Sequence, residues 1–329
     1  MRVGVDIAPL VQDAAGTARW IRGLLGELEQ RDSLEVRRMS WGGPGRWTAV
    51  ARDVLWYPLL LPRQAERERL DVLHCTIYRA PLRGRVPTVV TVHDLAVLRR
   101  PEAFPAWTRL YARSGLRRTI RAARRVIAVS EFSRRETAEL CGVDLDRIDV
   151  VPNAVDPVFG PTGRVADGDY LLAVGTLEPR KNLPRAIEAA RIAGVELRVV
   201  GARGWGAVDV GGHGVRWLGR VSDEELASLY RGARCLVYPS LYEGFGIPVA
   251  EAMACGTPVV TSRGSAMADV AGDAAVLVDP ADPGSIAAGI AEAAAAADEL
   301  RRRGLERAGL YTWARAADAA LASYARALA

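Results

Sequence analysis

Short apolar runs alternate with longer segments of helical spacing along the front half of the chain. RVGVDIA (residues 2–8) is a compact apolar run and reads as a strand, and ARWIRGLLGELEQ follows it with Trp20, Leu24, Leu25 and Leu28 on one helical face. DVLHCT, TVVTVHD and RVIAVS are further strand-like runs, each ending near polar or small residues. Strands separated by helices predict a parallel sheet with covering helices. In such sheets ligands lie outside the carboxyl ends of the strands, and Gly16, His93 and Ser130 all fall just after candidate strands.

The pattern breaks over 152–169, where PNAVDPVFGPTGRVADGD is rich in Pro, Gly and Asp and reads as a linker. Alternation then restarts with DYLLAVGT, LPRAIEAARIAG, ELRVVG, GVRWLG, SDEELASLYRGA, CLVYPS, PVAEAMACG, TPVVTS and AAVLVD, a second α/β unit. Ser222 with Glu225 three residues on is a capping-box signature. The Ala-rich tail from about residue 283 reads as helices, the last anchored by Tyr311 and Trp313. The expected division is therefore 1–163, 164–310 and a terminal helix over 311–329 that packs back toward the first domain.

A length of 329 residues fits two domains. Half the residues are hydrophobic and a quarter charged, a soluble globular balance. No apolar run nears the roughly 20 residues of a membrane span, and the start reads as a strand rather than a secretory leader. Cys75, Cys141, Cys235 and Cys255 are far apart without paired spacing, so free thiols, a reducing cytoplasm and no zinc site are expected. Charge is uneven. The first 164 residues hold 27 arginines against 19 acidic residues, whereas the remainder holds 17 basic and 20 acidic residues. A basic front half implies an anionic partner such as a membrane surface or a phosphorylated acceptor; no nucleic-acid-binding motif is present. Lys181 is the only lysine of the chain. Its compact ammonium differs from the planar guanidinium used everywhere else.

Candidate chemistry concentrates in two segments. In Glu243-Gly244-Phe245-Gly246-Ile247-Pro248-Val249-Ala250-Glu251, a glycine-bearing loop leads from a strand into a helix near Pro248. A helix amino terminus suits a diphosphate, and Glu243 and Glu251 can bracket a ligand there through its hydroxyls; a loop with a dipole-favoured Glu fits the same pattern. In Gly175-Thr176-Leu177-Glu178-Pro179-Arg180-Lys181-Asn182, adjacent Arg and Lys at a strand-to-helix turn suit a departing phosphate. His93 ends TVVTV and is a candidate site group, although a structural histidine fits as well; His74 reads as structural and His213 as exposed. Gly16 opens a helix after a strand, a second candidate anion cradle. GARGWG (201–206) lacks the spacing of a dinucleotide fingerprint, and Asp144-x-Asp146 and Asp167-x-Asp169 read as turn residues. The segment 109–125 has helical spacing that puts Arg113, Arg117, Arg118, Arg121, Arg124 and Arg125 on one arc and Ala112, Leu116, Ile120 and Ala123 on another. It is a solvated basic face or a contact for an anionic membrane.

Taken together these segments resemble glycosyltransferase family 4 over nearly the whole chain. YPSLYEGFGIPVAEAMACGTPVVTS looks like the family's Glu-x7-Glu region and GTLEPRKNL like its phosphate-binding turn, with VSEFSRRE, VPNAVDPVF and WLGRVSDEELASLYRGA filling in the rest. GTARWIRGLL is similar to the family's amino-terminal glycine loop, with Ala18 where a second glycine is usual. The HDL segment with the Arg-rich helix resembles bacterial mannosyltransferases of surface-polysaccharide assembly.

The resemblance implies the α/β GT-B architecture, two Rossmann-like parallel-sheet domains facing a central cleft, with the first binding acceptor and the second donor. It implies a retaining, metal-independent hexosyltransferase without cofactor. The co-substrate would be a nucleotide-diphosphate sugar, GDP-mannose favoured over UDP- or dTDP-sugars. The acceptor would be a glycan, a lipid-linked saccharide or a small molecule, and the enzyme would be cytoplasmic or peripheral at the inner face of the membrane. Arg180 and Lys181 would neutralise the diphosphate beside Gly175 and Thr176. Glu243 would contact the transferred sugar, with Gly244, Phe245, Gly246 and Ile247 lining donor sugar and phosphate. Glu251 would hold the ribose, and Arg220 and Val221 would lie against the base. His93 would approach the donor sugar and Gly16 the phosphate and acceptor. A sugar-nucleotide epimerase on the same fold and a non-catalytic nucleotide-sugar-binding homologue are the alternatives.

Overall fold

The computed structural model of the chain describes residues 1–12, 15–101, 109, 115–204, 209–210 and 212–329. It divides into two compact units, Met1–Ala154 together with Trp313–Ala329, and Val155–Thr312. Each unit carries a six-stranded sheet.

In the first unit the strands are β1 (Arg2–Asp6), β2 (Glu35–Met39), β3 (Val72–Cys75), β4 (Thr88–Val92), β5 (Arg125–Ala128) and β6 (Ile148–Val150). They pair in parallel in the order β2-β1-β3-β4-β5-β6. Burial on both faces explains the continuous apolar runs of the inner strands. Leu73, Val90, Val92 and Val126 pack into one core with Trp56 and Ile120. Val72, Val89 and Ile127 face another, with Trp20, Leu24 and the helix Trp313–Leu328. The edge strands β2 and β6 escape the apolar pattern for a physical reason. Three of the five β2 side chains are exposed, two of them charged arginines, and β6 is only three residues long.

The helix Trp313–Leu328 belongs to this unit. A Cβ at Gly23 would lie 2.2 Å from the Trp313 indole, so a glycine there lets the two helices meet. Tyr324 Oη lies 2.7 Å from His74 Nδ1, and His74 Nε2 lies 2.8 Å from Thr91 Oγ1. Burial, with repulsion from His93, depresses the His74 imidazole to about 3, so it stays neutral and structural. On the outer strands Asp149 accepts from Arg125 (2.6 and 3.0 Å) and Ser323 (2.7 Å) and pairs with Arg326 at 2.9 Å.

The basic helix expected over 109–125 ends before residue 123. The helix spans Arg117–Ala122, and Ala123 turns to extended backbone (φ −62°, ψ 142°). Arg125 opens β5 and pairs with Asp149, so neither it nor Arg124 shares the helical arc. Complete burial of Val126, Ile127 and Ala128 in the sheet sets the boundary, overriding the helical periodicity. Ala112 and Arg113 lie outside the described residues, as do Trp205 and Gly206 of the GARGWG turn.

The second unit holds β7 (Tyr170–Val174), β8 (Glu196–Val200), β9 (Val215–Gly219), β10 (Cys235–Tyr238), β11 (Val259–Ser262) and β12 (Val276–Val278). Its order is β12-β11-β10-β7-β8-β9, again all parallel. Ser222 caps the helix Asp223–Gly232 by accepting from the Glu225 N–H at 3.2 Å. All four cysteines are buried free thiols. Among the described residues no helix is long and apolar enough to cross a membrane.

Burial opposes ionisation of Asp149, but Arg125, Ser323 and Arg326 outweigh it and hold the carboxyl below its ordinary value. The stabilisation is present above the unfolded pKa of about 3.9 and is lost as pH falls through the depressed folded value. Asp149→Ala should cost about 3 kcal/mol, because it strands the largely buried Arg125. Arg326→Ala, at a half-exposed arginine, should cost less than about 1 kcal/mol. Urea titration of both variants checks the ranking.

Candidate functional site

In the second sheet β7 is followed in the chain by β8 on one side, and the later β10 pairs on its other side. The strand order therefore reverses between β7 and β10, the position where open parallel sheets take ligands outside the carboxyl ends of their strands. Two loops occupy it, Gly175–Asn182 after β7 and the segment from Ser240 to Ile247 after β10.

Backbone geometry fixes the first loop. Gly175 and Gly201 have φ of +146° and +155°, and a Cβ on Gly201 would stand 1.9 Å from the Gly175 carbonyl oxygen. Only glycine allows that approach. Pro179–Lys181 form one 3-10 turn, and Asn182, at φ +59°, starts the helix Leu183–Ala193. The buried Asn182 amide donates to the carbonyls of Pro239 (3.0 Å) and Pro280 (2.6 Å). Leu241 N–H donates to the Arg180 carbonyl at 2.8 Å, and Ser240 Oγ lies 3.0 Å from the same oxygen, which stitches the loops together.

The loops meet at Glu243. Its Oε1 accepts from Lys181 Nζ (2.7 Å), Ser240 Oγ (2.8 Å) and Tyr238 Oη (3.0 Å), and its Oε2 accepts from Arg180 at 2.7 Å. Lys181 also donates to Tyr238 Oη at 2.7 Å, and Arg180 pairs with Glu178 at 2.9 Å. Burial alone would raise the Glu243 carboxyl, but Lys181 and Arg180 outweigh it and hold it at about 2. Burial and the Glu243 charge push the Tyr238 phenol up, so it stays a neutral donor. Two cations and two carboxylates thus balance in a largely buried cluster. Among the described residues, one ammonium hydrogen of Lys181 is left for an incoming oxygen.

The helix Ile247–Ala254 begins beside this cluster. Gly246, at φ +96°, is its N-cap, and a Cβ there would lie 2.7 Å from Met267 Cγ. Pro248 lies in the first turn. Ser265 Oγ accepts from the Glu243 N–H at 3.1 Å, and Phe245 packs edge-on against Tyr311. Glu251, one turn in, is 3% exposed and accepts from Tyr230 Oη at 3.1 Å. Thr176 is exposed and Gly175 half-buried, while exposed Arg220 and half-buried Val221 follow β9 directly.

Gly16 and His93 belong to the first unit. Gly16 is exposed, the second residue of the helix Ala15–Leu28. Half-buried His93 follows β4 and packs edge-on against Trp20, 5.0 Å between ring centres. Its Nε2 donates to the Thr76 carbonyl at 2.9 Å. Burial lowers the ring's pKa, against smaller opposing effects of that carbonyl and Asp94. The ring is therefore neutral at pH 7, with Nδ1 an acceptor.

The structure brings Arg180, Lys181 and Glu243 into contact at the start of one helix. Sequence reasoning did not single out Tyr238, Ser240, Glu178 or Asn182. The first two stand where β10 ends, and that position was their one legible signal. Among the described residues no cluster of three or more His, Cys, Asp or Glu is placed to hold a metal.

Residues 158–308 match the family described as glycosyl transferases group 1, and residues 22–159 match glycosyltransferase family 4. The chain is 34% identical over 290 residues to O-antigen chain mannosyltransferase B of Escherichia coli, covering 78% of this chain and 76% of that protein. It is also 34% identical over 276 residues to D-inositol 3-phosphate glycosyltransferase of Mycolicibacterium smegmatis, covering 75% and 63%. The MMP alpha-(1->4)-mannosyltransferase of Mycolicibacterium hassiacum is 33% identical over 278 residues, covering 74% and 66%. Among solved structures, sucrose-phosphate synthase of Thermosynechococcus elongatus superposes with a TM-score of 0.78 at 19% identity, covering 98% of each chain. Anabaena HepE, in complex with UDP and glucose, gives 0.72 at 16% identity over 98% and 99%. With two parallel sheets of GT-B type and a matching sequence over most of its length, the chain belongs to glycosyltransferase family 4, in a group with mannosyltransferase-like members.

Proposed function

We propose that this glycosyltransferase moves a hexosyl group, mannosyl favoured, from a nucleoside-diphosphate sugar to a glycan, lipid-linked or small-molecule acceptor with retention of configuration. The observation that carries the reading is the Glu243 carboxylate shared between Lys181 and Arg180 at the amino end of the helix Ile247–Ala254. Solved relatives of the fold hold UDP or UDP-glucose. The mannosyltransferase names of the sequence relatives favour GDP-mannose here. They also weigh against an epimerase or a non-catalytic homologue.

The proposed leaving diphosphate accepts from Lys181, Arg180 and the N–H groups at Gly246 and Ile247, where the helix dipole adds positive potential. Negative charge grows on the leaving oxygen as the C1–O bond breaks, so donors fixed there lower the barrier. Glu243 Oε2, with one protein donor named above, has room for a sugar hydroxyl, and Glu251 takes the ribose hydroxyls. Arg220 and Val221 flank the base. Neutral His93 offers Nδ1 to a donor-sugar hydroxyl, and Gly16 leaves backbone open to phosphate or acceptor. The acceptor hydroxyl enters on the face the diphosphate leaves, and a diphosphate oxygen takes its proton. Positioning and electrostatics then supply the rate, without a covalent enzyme nucleophile. Four buried thiols fit a reducing compartment, and the reaction is assigned to the cytoplasm.

Lys181→Ala should lower kcat by roughly 100- to 1000-fold while the fold survives, because Arg180, Ser240 and Tyr238 still hold Glu243. Steady-state kinetics beside a thermal melt check it; near-normal turnover removes the phosphate assignment. Glu243→Gln should lower kcat by about 100-fold or more, a loss of roughly 2.7 kcal/mol. It should leave nucleoside-diphosphate affinity equal or tighter, since two cations lose their internal counter-charge; calorimetry showing a parallel loss of affinity contradicts the role. A thermal-shift series of GDP-, UDP- and dTDP-sugars identifies the donor. A ligand at 100 times its Kd should stabilise by about 2.7 kcal/mol, and GDP-mannose is expected to give the largest shift.

A further inference from the structure

Residues 46–67 form one continuous helical rod in the first unit, built from Arg46–Ala51, a wider π-helical stretch Arg52–Leu60, and Leu61–Arg67. Pro58, which has no N–H, sits in the wide turns. The rod is amphipathic in the reverse sense. Its inward face carries Arg52, Trp56 and Tyr57, all buried. Arg52 donates to the Ala8 carbonyl and Tyr57 Oη to Asp6. Its outward face is a stripe of Trp47, Val50, Val54, Leu55 and Leu59, with Trp47 77% and Val54 61% exposed. Scattered exposed apolar residues need no explanation, but five on one helical face do.

The flank of the stripe identifies what covers it. A groove of about 650 Å³ runs from Pro58 to exposed Leu82 and is lined by Arg83, Arg118 and Arg121, with no carboxylate in its lining. Arg83, Arg85, Arg124 and Arg147 line an adjoining groove. Among the described residues neither Arg83 nor Arg118 is tied into a hydrogen bond or ion pair. An apolar stripe edged by guanidinium groups is complementary to a bilayer with anionic headgroups, the stripe entering the acyl boundary and the arginines taking lipid phosphates.

We propose that the face made by Trp47, Val50, Val54, Leu55 and Leu59 with Arg83 and Arg118 docks this chain on an anionic membrane surface. The docking is independent of the donor chemistry, and it takes Arg118 from the described helix Arg117–Ala122 of the basic segment. The test is sedimentation of the full chain with vesicles of phosphatidylcholine alone and with vesicles about one-third phosphatidylglycerol. The chain should pellet with the anionic vesicles and release at high salt. Val54→Glu with Leu59→Glu should weaken partitioning at least about tenfold. Arg83→Ser with Arg118→Ser should weaken it about thirtyfold at low salt and flatten the salt dependence. Both pairs are exposed, so melting temperature and nucleotide binding should stay unchanged. Wild-type chain remaining in the supernatant with anionic vesicles overturns the proposal. So do variants that pellet as well as wild type, and so does a concentration-dependent dimer that Val54→Glu with Leu59→Glu dissolves, which would give the stripe to a second copy.

Discussion

A carboxylate held between an ammonium and a guanidinium sets the character of the second unit. Lys181 and Glu243 are both largely buried, and neither would be tolerated there alone: an unpaired charge in such a place costs several kcal/mol. The pair keeps two cations concentrated at a helix start while no anion is bound. Each side chain is then reached by a separate device. The Gly175–Gly201 approach aims the first loop, Asn182 pins it to the carbonyls of Pro239 and Pro280, and the Gly246 N-cap turns the second loop into its helix. The reversal of strand order between β7 and β10 brings the two loops together.

The four charges Glu178, Arg180, Lys181 and Glu243 sum to zero. On the proposed reading an arriving diphosphate would meet a preformed set of donors rather than a naked positive patch. Its binding would then depend on the remaining Lys181 hydrogen and on the helix terminus as much as on net charge. Such fixed donors need little rearrangement as charge develops on a leaving group, which is the condition for large electrostatic rate effects. Tyr238, kept neutral by burial and by Glu243, links ammonium to carboxylate and restricts where Lys181 can point.

Much of this was legible before any coordinates. The inner strands announced themselves because burial on both faces forces uninterrupted apolar runs, and the two loops of the candidate site because glycine and proline mark strand-to-helix turns. Lys181 stood out as the lone lysine in an arginine-rich chain. The edge strand Glu35–Met39 did not, because solvent on one side permits charged residues. The rod over 46–67 was missed because it inverts the usual rule, hiding Arg52 and exposing Trp47 and Val54. The basic helix ends at Ala122 rather than running on to Arg125, since periodicity cannot register that Val126–Ala128 are claimed by the sheet. Hydrogen-bond supports such as Tyr238, Ser240 and Asn182 carry little signal in one sequence, because their roles exist only once separate loops meet.

The proposed chemistry requires Lys181 and Arg180 to receive a pyrophosphoryl group at the start of the helix Ile247–Ala254. A crystal structure of the chain with a bound nucleoside diphosphate tests that most directly. The expected result is a β-phosphate oxygen within hydrogen-bond distance of Lys181 Nζ and of the N–H groups at Gly246 or Ile247. A diphosphate bound elsewhere, with the contacts among Lys181, Tyr238 and Glu243 undisturbed and no phosphate oxygen near them, would contradict it.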